Sequence, residues 1–151
     1  RADGEAGASL PVSRSASRVT NAERGIARSI PASMAAARVA TTTSATLTNY
    51  NAKGLVVLLD VTAVGAPAGT VTTIELLAMV GATEVLFATL DITNLGAIGV
   101  RAAIAYPTAA ITGVTAWDAA ANTVIPRIFR VRVVHLDGNS ITYSVNVSFI
   151  N

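Results

Sequence analysis

The sequence contains few side chains of the kinds that perform nucleophilic, acid–base or metal chemistry. It has no cysteine and one histidine, His135, which excludes thiolate chemistry and any site built from paired histidines. By strand alternation His135 shares a face with Phe129 and Val131, which favours a structural role over a catalytic one. Five of the six acids in residues 45–151 are spread over separate segments: Asp60, Glu75, Glu84, Asp91 and Asp118. Their spacing predicts no acid–base pair. We therefore expect no enzyme activity, no cofactor and no metal.

Arginine is the second source of possible chemistry, with ten arginines against one lysine. The planar guanidinium pairs with carboxylates or phosphates in a bidentate manner. Arg130 and Arg132 alternate with apolar residues, so they share one strand face. Residues 45–151 hold five bases and six acids and lack a run of stacked aromatic residues, which argues against nucleic acid as the partner. We predict that Arg130 and Arg132 lie on a strand face that is either solvated or part of a protein interface.

The positive charge is concentrated in residues 1–44, which hold six arginines and three acids. This segment lacks sustained periodicity, and two X-Pro pairs favour extended chain. Short helices at 21–28 and 32–39 are expected but would be unstable alone. We interpret residues 1–44 as a basic arm that becomes ordered along a partner; the alternative is a disordered tail. The residues predicted to contact the partner are Arg14, Arg18, Arg24, Arg28, Arg38, Leu10, Val12, Ile26 and Ile30.

Residues 45–151 show the period-two alternation of β-strands. The clearest pair is the C-terminal hairpin, in which Asp137-Gly138 forms the turn favoured between tight antiparallel strands. The predicted strands cover 44–49, 55–64, 70–80, 84–90, 99–106, 129–133 and 141–149. Seven strands in about 105 residues predict an all-β fold, an antiparallel β-sandwich or jelly roll with an extended, mostly irregular N-terminal arm.

The composition indicates a protein surface that is covered by partners. Charged residues make up only 13% of the chain, although 52% is hydrophobic and the mean hydropathy is +0.54. A membrane span needs about 18–20 dominantly apolar residues, and no stretch of this sequence offers them. We therefore expect a homo-oligomer or larger assembly rather than a membrane protein.

Two stretches carry a resemblance to a known group of proteins. Asn49-Tyr-Asn-Ala-Lys-Gly54 with the strand that follows, and residues 125–145, resemble small structural proteins of tailed bacteriophages. Similar β-modules serve as capsid decoration (cement) proteins. The resemblance covers roughly residues 45–151, and residues 76–83 depart from its pattern.

The resemblance implies a mechanical role in the virion. A decoration protein of this kind would bind the outside of the head shell and staple neighbouring major capsid subunits, most often as a trimer. It would be found on the capsid surface after assembly in the cytoplasm of the bacterial host. One alternative is another virion component, from the tail, neck or fibres. Another is a carbohydrate-binding adhesion module, for which Trp117, Tyr50 and Tyr106 are the candidate aromatic residues.

Overall fold

A computed structural model describes residues 29–66, 71–92, 97–107 and 118–151. These residues form strands and loops without a helix, which confirms the predicted all-β class. The strands are β1 (Ser29–Arg38), β2 (Thr42–Thr43), β3 (Leu47–Thr48), β4 (Gly54–Val64), β5 (Val71–Val80), β6 (Thr83–Asp91), β7 (Gly99–Ala105), β8 (Ala119–Ala121), β9 (Ile128–His135) and β10 (Ile141–Ile150).

The strands are arranged in two sheets. The first sheet has the order β1-β10-β4-β7-β8, and the second has the order β2-β9-β5-β6, with β3 also paired to β9. Each pair is antiparallel except β7 with β8. The chain therefore forms the mostly antiparallel two-sheet architecture that the strand spacing predicted.

The core lies between the two sheets and follows from the alternation of apolar residues. In β4, Leu55, Val57 and Leu59 are fully buried, and they face buried residues of β9 and β5 from the second sheet. Phe129 of β9 meets Phe149 of β10 edge to face, with ring centroids 6.0 Å apart. Each large apolar side chain buried in this way contributes roughly 1.5–3 kcal/mol. The core explains why the register of β4, β9 and β10 is fixed, since a one-residue slip would turn these side chains to the outside.

The helix expected over 32–39 is wrong, because residues 32–38 belong to β1. This strand pairs with β10 from Ser29 opposite Ser148 to Arg38 opposite Ile141, with two register shifts between these ends. The alanines' helix propensity amounts to a few tenths of a kcal/mol per residue. Pairing with β10 satisfies a row of backbone groups and packs Ile30 and Ala32 against the core, so tertiary contacts decide the structure.

Residues 29–44 were assigned to the arm from sequence, yet β1 and β2 place residues 29–38 and 42–43 in the sheets. The strand expected over 44–49 is reduced to Leu47–Thr48, and the short β8 was not predicted. Most of the predicted partner contacts of the arm lie outside the described residues, as does the helix expected over 21–28. These contacts are Leu10, Val12, Arg14, Arg18, Arg24, Ile26 and Arg28.

Candidate functional site

The outer face of the second sheet carries a network of ion pairs. Arg130 and Arg132 project from β9, where Arg130 Nη1 lies 2.9 Å from Glu84 Oε1 and Arg132 Nη1 lies 3.1 Å from Glu75 Oε2. Arg132 also pairs with the second carboxylate oxygen of Glu84. Because β9, β5 and β6 are neighbours in the sheet, acids far away in sequence reach both arginines.

These contacts give the two predicted interface arginines partners within the chain. Arg130 Nε also donates to the hydroxyl of Thr46, and Arg132 Nε donates to the hydroxyl of Thr43, each at 3.2 Å. The guanidinium groups are about one third exposed, and their charge is balanced by the neighbouring carboxylates. This face is therefore a charge-paired surface, with little free positive charge for a phosphate backbone.

The outer face of the first sheet has a different composition. Its centre is a block of nine residues from β10, β4 and β7, arranged in three hydrogen-bonded rows. We call it the first-sheet face. The rows are Ser148–Val56–Ile104, Asn146–Leu58–Ala102 and Ser144–Asp60–Val100.

The first-sheet face is nearly free of charge, since Asp60 is its one ionisable residue, and Ile104 in its first row is buried. Val100 at its border is 60% exposed, and Val56 and Leu58 are half-buried. Within the described residues only the inner side of β4 is packed against another sheet.

A polar cluster lies between the sheets at the end of the molecule where β9 ends. His135 Nε2 lies 3.1 Å from the hydroxyl of Tyr143, and the guanidinium of Arg38 lies 4.4 Å from the centre of the Tyr143 ring. Arg38 also donates to the Tyr143 carbonyl and to Ser33. Arg38 was predicted to contact a partner, but the structure places it against the edge of the core, where it joins β1 to β10.

Burial alters the titration of this cluster. Desolvation lowers the pKa of His135, and the nearby positive charge of Arg38 adds to this effect, while Asp137 opposes it. Burial raises the pKa of Tyr143. Both groups are therefore held neutral near pH 7. Nδ1 of His135 is buried and has no hydrogen-bond partner among the described residues. This arrangement supports the structural role that was predicted for His135.

The third feature is an open groove of about 310 Å³ at the opposite end of the sheets. It is formed by the loop before β4 and by the segment that leads into β9. The residues that line it are Asn49, Tyr50, Asn51, Ile125 and Arg127. Tyr50 is 79% exposed, so its ring is available to a ligand. Tyr106, the second predicted aromatic candidate, is half-buried, and Trp117 lies outside the described residues.

Asn49 holds the groove together, and sequence reasoning missed it. The side chain is buried; its Nδ2 donates to the carbonyls of Ala52 at 3.0 Å and Ile125 at 3.1 Å. Its Oδ1 accepts from the N–H of Ala52 at 2.7 Å, and its own N–H donates to the Arg127 carbonyl at 2.7 Å. Asn51 has a φ of 81°, a left-handed conformation that asparagine tolerates better than most residues. An Asn-x-Asn loop before a strand was the available signal.

No group of three or more potential metal ligands occurs in the described parts of the chain. The same residues contain no helix that could cross a membrane. No known family model matches the chain. No curated protein matches it either.

Proposed function

We propose that this chain is a capsid decoration protein of a tailed bacteriophage, which lies on the outside of the head shell and staples neighbouring major capsid subunits. The observation that carries the proposal is the contrast between the two outer faces. One is charge-paired through Arg130, Arg132 and their acids. The first-sheet face has one carboxylate among nine residues. A surface with so little charge has a small desolvation cost when it is covered.

The path of the strands supports this proposal. Four successive pairs join the first half of the chain to the second half in reverse order: β1 with β10, β2 and β3 with β9, β4 with β7, and β5 with β6. The pairs alternate between the two sheets. We infer that they are wound as a jelly roll, with β8 as an added edge strand. Jelly rolls are common in viral capsid proteins and lectins.

The distribution of charge adds a second contact. Residues 29–151 contain six bases and six acids, so the net charge of +2 belongs to residues 1–28. β1 begins at Ser29 opposite Ser148, which is a corner of the first-sheet face. The basic segment is therefore attached at the border of the surface that we assign to the shell. We propose that it extends the contact to an adjacent capsid subunit, where repetition by symmetry turns weak contacts into strong attachment.

A binding assay with matched surface variants tests the proposal. Asn146→Arg puts a charged side chain in the middle row of the first-sheet face, one row from Asp60. Thr89→Arg puts the same side chain on β6, where Thr89 is exposed opposite Glu75 on the outer face of the second sheet. Desolvation of a guanidinium costs several kcal/mol, and an ion pair with Asp60 does not repay all of that cost when both groups are covered, so we expect Asn146→Arg to lower binding more than about tenfold. Thr89→Arg should bind as the unmodified chain does.

The assay uses phage heads that lack the protein, mixed with the full chain and sedimented, and the bound copies are counted on a gel. A second variant replaces Arg14, Arg18, Arg24 and Arg28 by glutamine, and it should also bind less. Equal binding of Asn146→Arg and the unmodified chain would show that the first-sheet face is not the contact. Electron microscopy that places the labelled protein on the tail would contradict the decoration role itself.

A further inference from the structure

We propose that the groove beside Tyr50 is a binding site for a short acidic saccharide, with the sugar ring stacked on Tyr50 and its carboxylate paired with Arg127. The inference is independent of the shell contact, because the groove lies in the loops at one end of the sheets and not on either outer face. It uses the five residues that line the groove: Asn49, Tyr50, Asn51, Ile125 and Arg127.

The walls of the groove are held together before a ligand binds. Its two walls are joined through Asn49, whose side chain bonds Ala52 on one wall and Ile125 on the other. The backbone bond from Asn49 to Arg127 ties the same walls together a second time. A loop held in place before binding loses little entropy when a ligand arrives. The backbone that carries Tyr50 and Arg127 is thus held in place before a ligand binds.

The groove also offers a positive charge to a ligand. Arg127 is exposed and forms no ion pair with any described residue, in contrast to Arg130 and Arg132 on the following strand. Lys53, in the loop before β4, is also exposed and forms no ion pair with a described acid. Since Arg130 and Arg132 are neutralised by Glu75 and Glu84, the bases near the groove without an acid partner among the described residues are Arg127 and Lys53. A guanidinium without an acid partner favours a carboxylate, which it can hold through two parallel hydrogen bonds.

The lining of the groove offers an aromatic ring and an amide to a ligand. The exposed ring of Tyr50 offers a flat apolar surface to the C–H face of a sugar, while its hydroxyl stays in water. The amide of Asn51 can both donate to and accept from sugar hydroxyls. The volume of about 310 Å³ is at the lower end for ligand sites, which suits a short saccharide. A nucleic-acid strand would need a longer basic groove and several stacked aromatic rings.

Ligand-observed NMR with the full chain tests this site. The probes are trigalacturonate, the neutral maltotriose and a six-nucleotide oligothymidylate. We expect saturation transfer to trigalacturonate with a Kd in the low millimolar range and at least about tenfold weaker binding of the other two. Tyr50→Ala and Arg127→Gln should each weaken trigalacturonate binding about tenfold. Tyr50→Phe keeps the ring and should bind within about twofold of the unmodified chain.

Arg101→Gln is the matched control, because it removes an arginine of β7 that does not line the groove. This variant should bind trigalacturonate with unchanged affinity. The substituted groove side chains are exposed, and the circular dichroism spectrum of each variant verifies its fold. The proposal is overturned by any of three results: no transfer to trigalacturonate at about 10 mM, equal binding of maltotriose, or tighter binding of the oligothymidylate. Retained binding by Tyr50→Ala would also overturn it.

Discussion

Replacement of Asn49 by alanine should destabilise the fold far more than its place in a loop suggests. The substitution removes the three side-chain hydrogen bonds that join Ala52 and Ile125 across the groove. The carbonyl of Ile125 lies in a buried position, because Ile125 is only 4% exposed. Alanine offers that carbonyl no donor, so the carbonyl must either stay unpaired or take a water from the groove into the space that the amide leaves.

The magnitude follows from the environment of each group that is left without a partner. A buried polar group that loses its hydrogen bond costs about 1–3 kcal/mol, and the Ile125 carbonyl should incur that cost. The N–H and the carbonyl of Ala52 are partly exposed and can bond to water, so each adds at most a few tenths of a kcal/mol. We expect the free energy of unfolding to fall by about 1–3 kcal/mol.

Urea denaturation followed by circular dichroism measures this difference. With a slope of about 2 kcal/mol per molar urea, the midpoint should fall by about 0.5–1.5 M while the slope stays constant. Asn51→Gly is the control in the same loop. It relaxes the left-handed backbone at φ 81° and should leave stability unchanged or raise it by up to about 1 kcal/mol. If Asn49→Ala lies within about 0.5 kcal/mol of the unmodified chain, Asn49 does not hold the groove walls together.

Two further predictions concern the ends of the sheets. Gly54→Ala would place a Cβ against the ring of Tyr106 and 2.6 Å from the Ala105 carbonyl oxygen, so it should cost about 1–3 kcal/mol in urea denaturation. Gly138→Ala, which meets no atom within 4 Å, should change stability by less than about 0.5 kcal/mol, and equal effects of the two would contradict the packing at Gly54. For His135, burial lowers the pKa below the ordinary value of 6.5, so the unfolded chain binds the proton more readily and stability falls as the pH drops below 6.5. Thermal unfolding between about pH 7.5 and pH 5.5 should show this loss in the unmodified chain and a smaller loss in His135→Gln, whereas parallel profiles would refute it.

The sequence was sufficient for the elements whose own alternation defines a core face. β4, β5, β6, β7 and β10 lie within about two residues of the predicted bounds, and β9 contains its predicted strand but is longer. The burial of Phe129 and Val131 and the outward direction of Arg130 were also predicted correctly. In these strands the side chains at every second position face the core, so the alternation of apolar residues along the sequence matches the tertiary packing.

The sequence failed where structure depends on a distant partner. The alanines of β1 carry no strong β-pattern, and this segment becomes a strand because β10 offers it an edge. The partners of Arg132 are 57 and 48 positions away, and their approach follows from the order of β9, β5 and β6 rather than from any motif. The Asn-x-Asn pattern indicates a loop at Asn49 but does not distinguish a buried Asn49 side chain from an exposed one.

In the proposed role, the first-sheet face provides the contact area, whereas the net charge of the chain belongs to residues 1–28. The first-sheet face is uncharged apart from Asp60, so it can cover area at low cost but discriminates poorly between one flat neutral surface and another. Orientation and choice of partner must then come from groups outside it, and the folded part has equal numbers of acids and bases. Residues 1–28 hold the net positive charge of the chain, and they join β1 at Ser29, which pairs with a corner of this face. In the proposed role, the face supplies the area and the basic segment supplies the selectivity. Neither would be sufficient alone. Charge complementarity gives specificity, whereas burial of contact area slows dissociation.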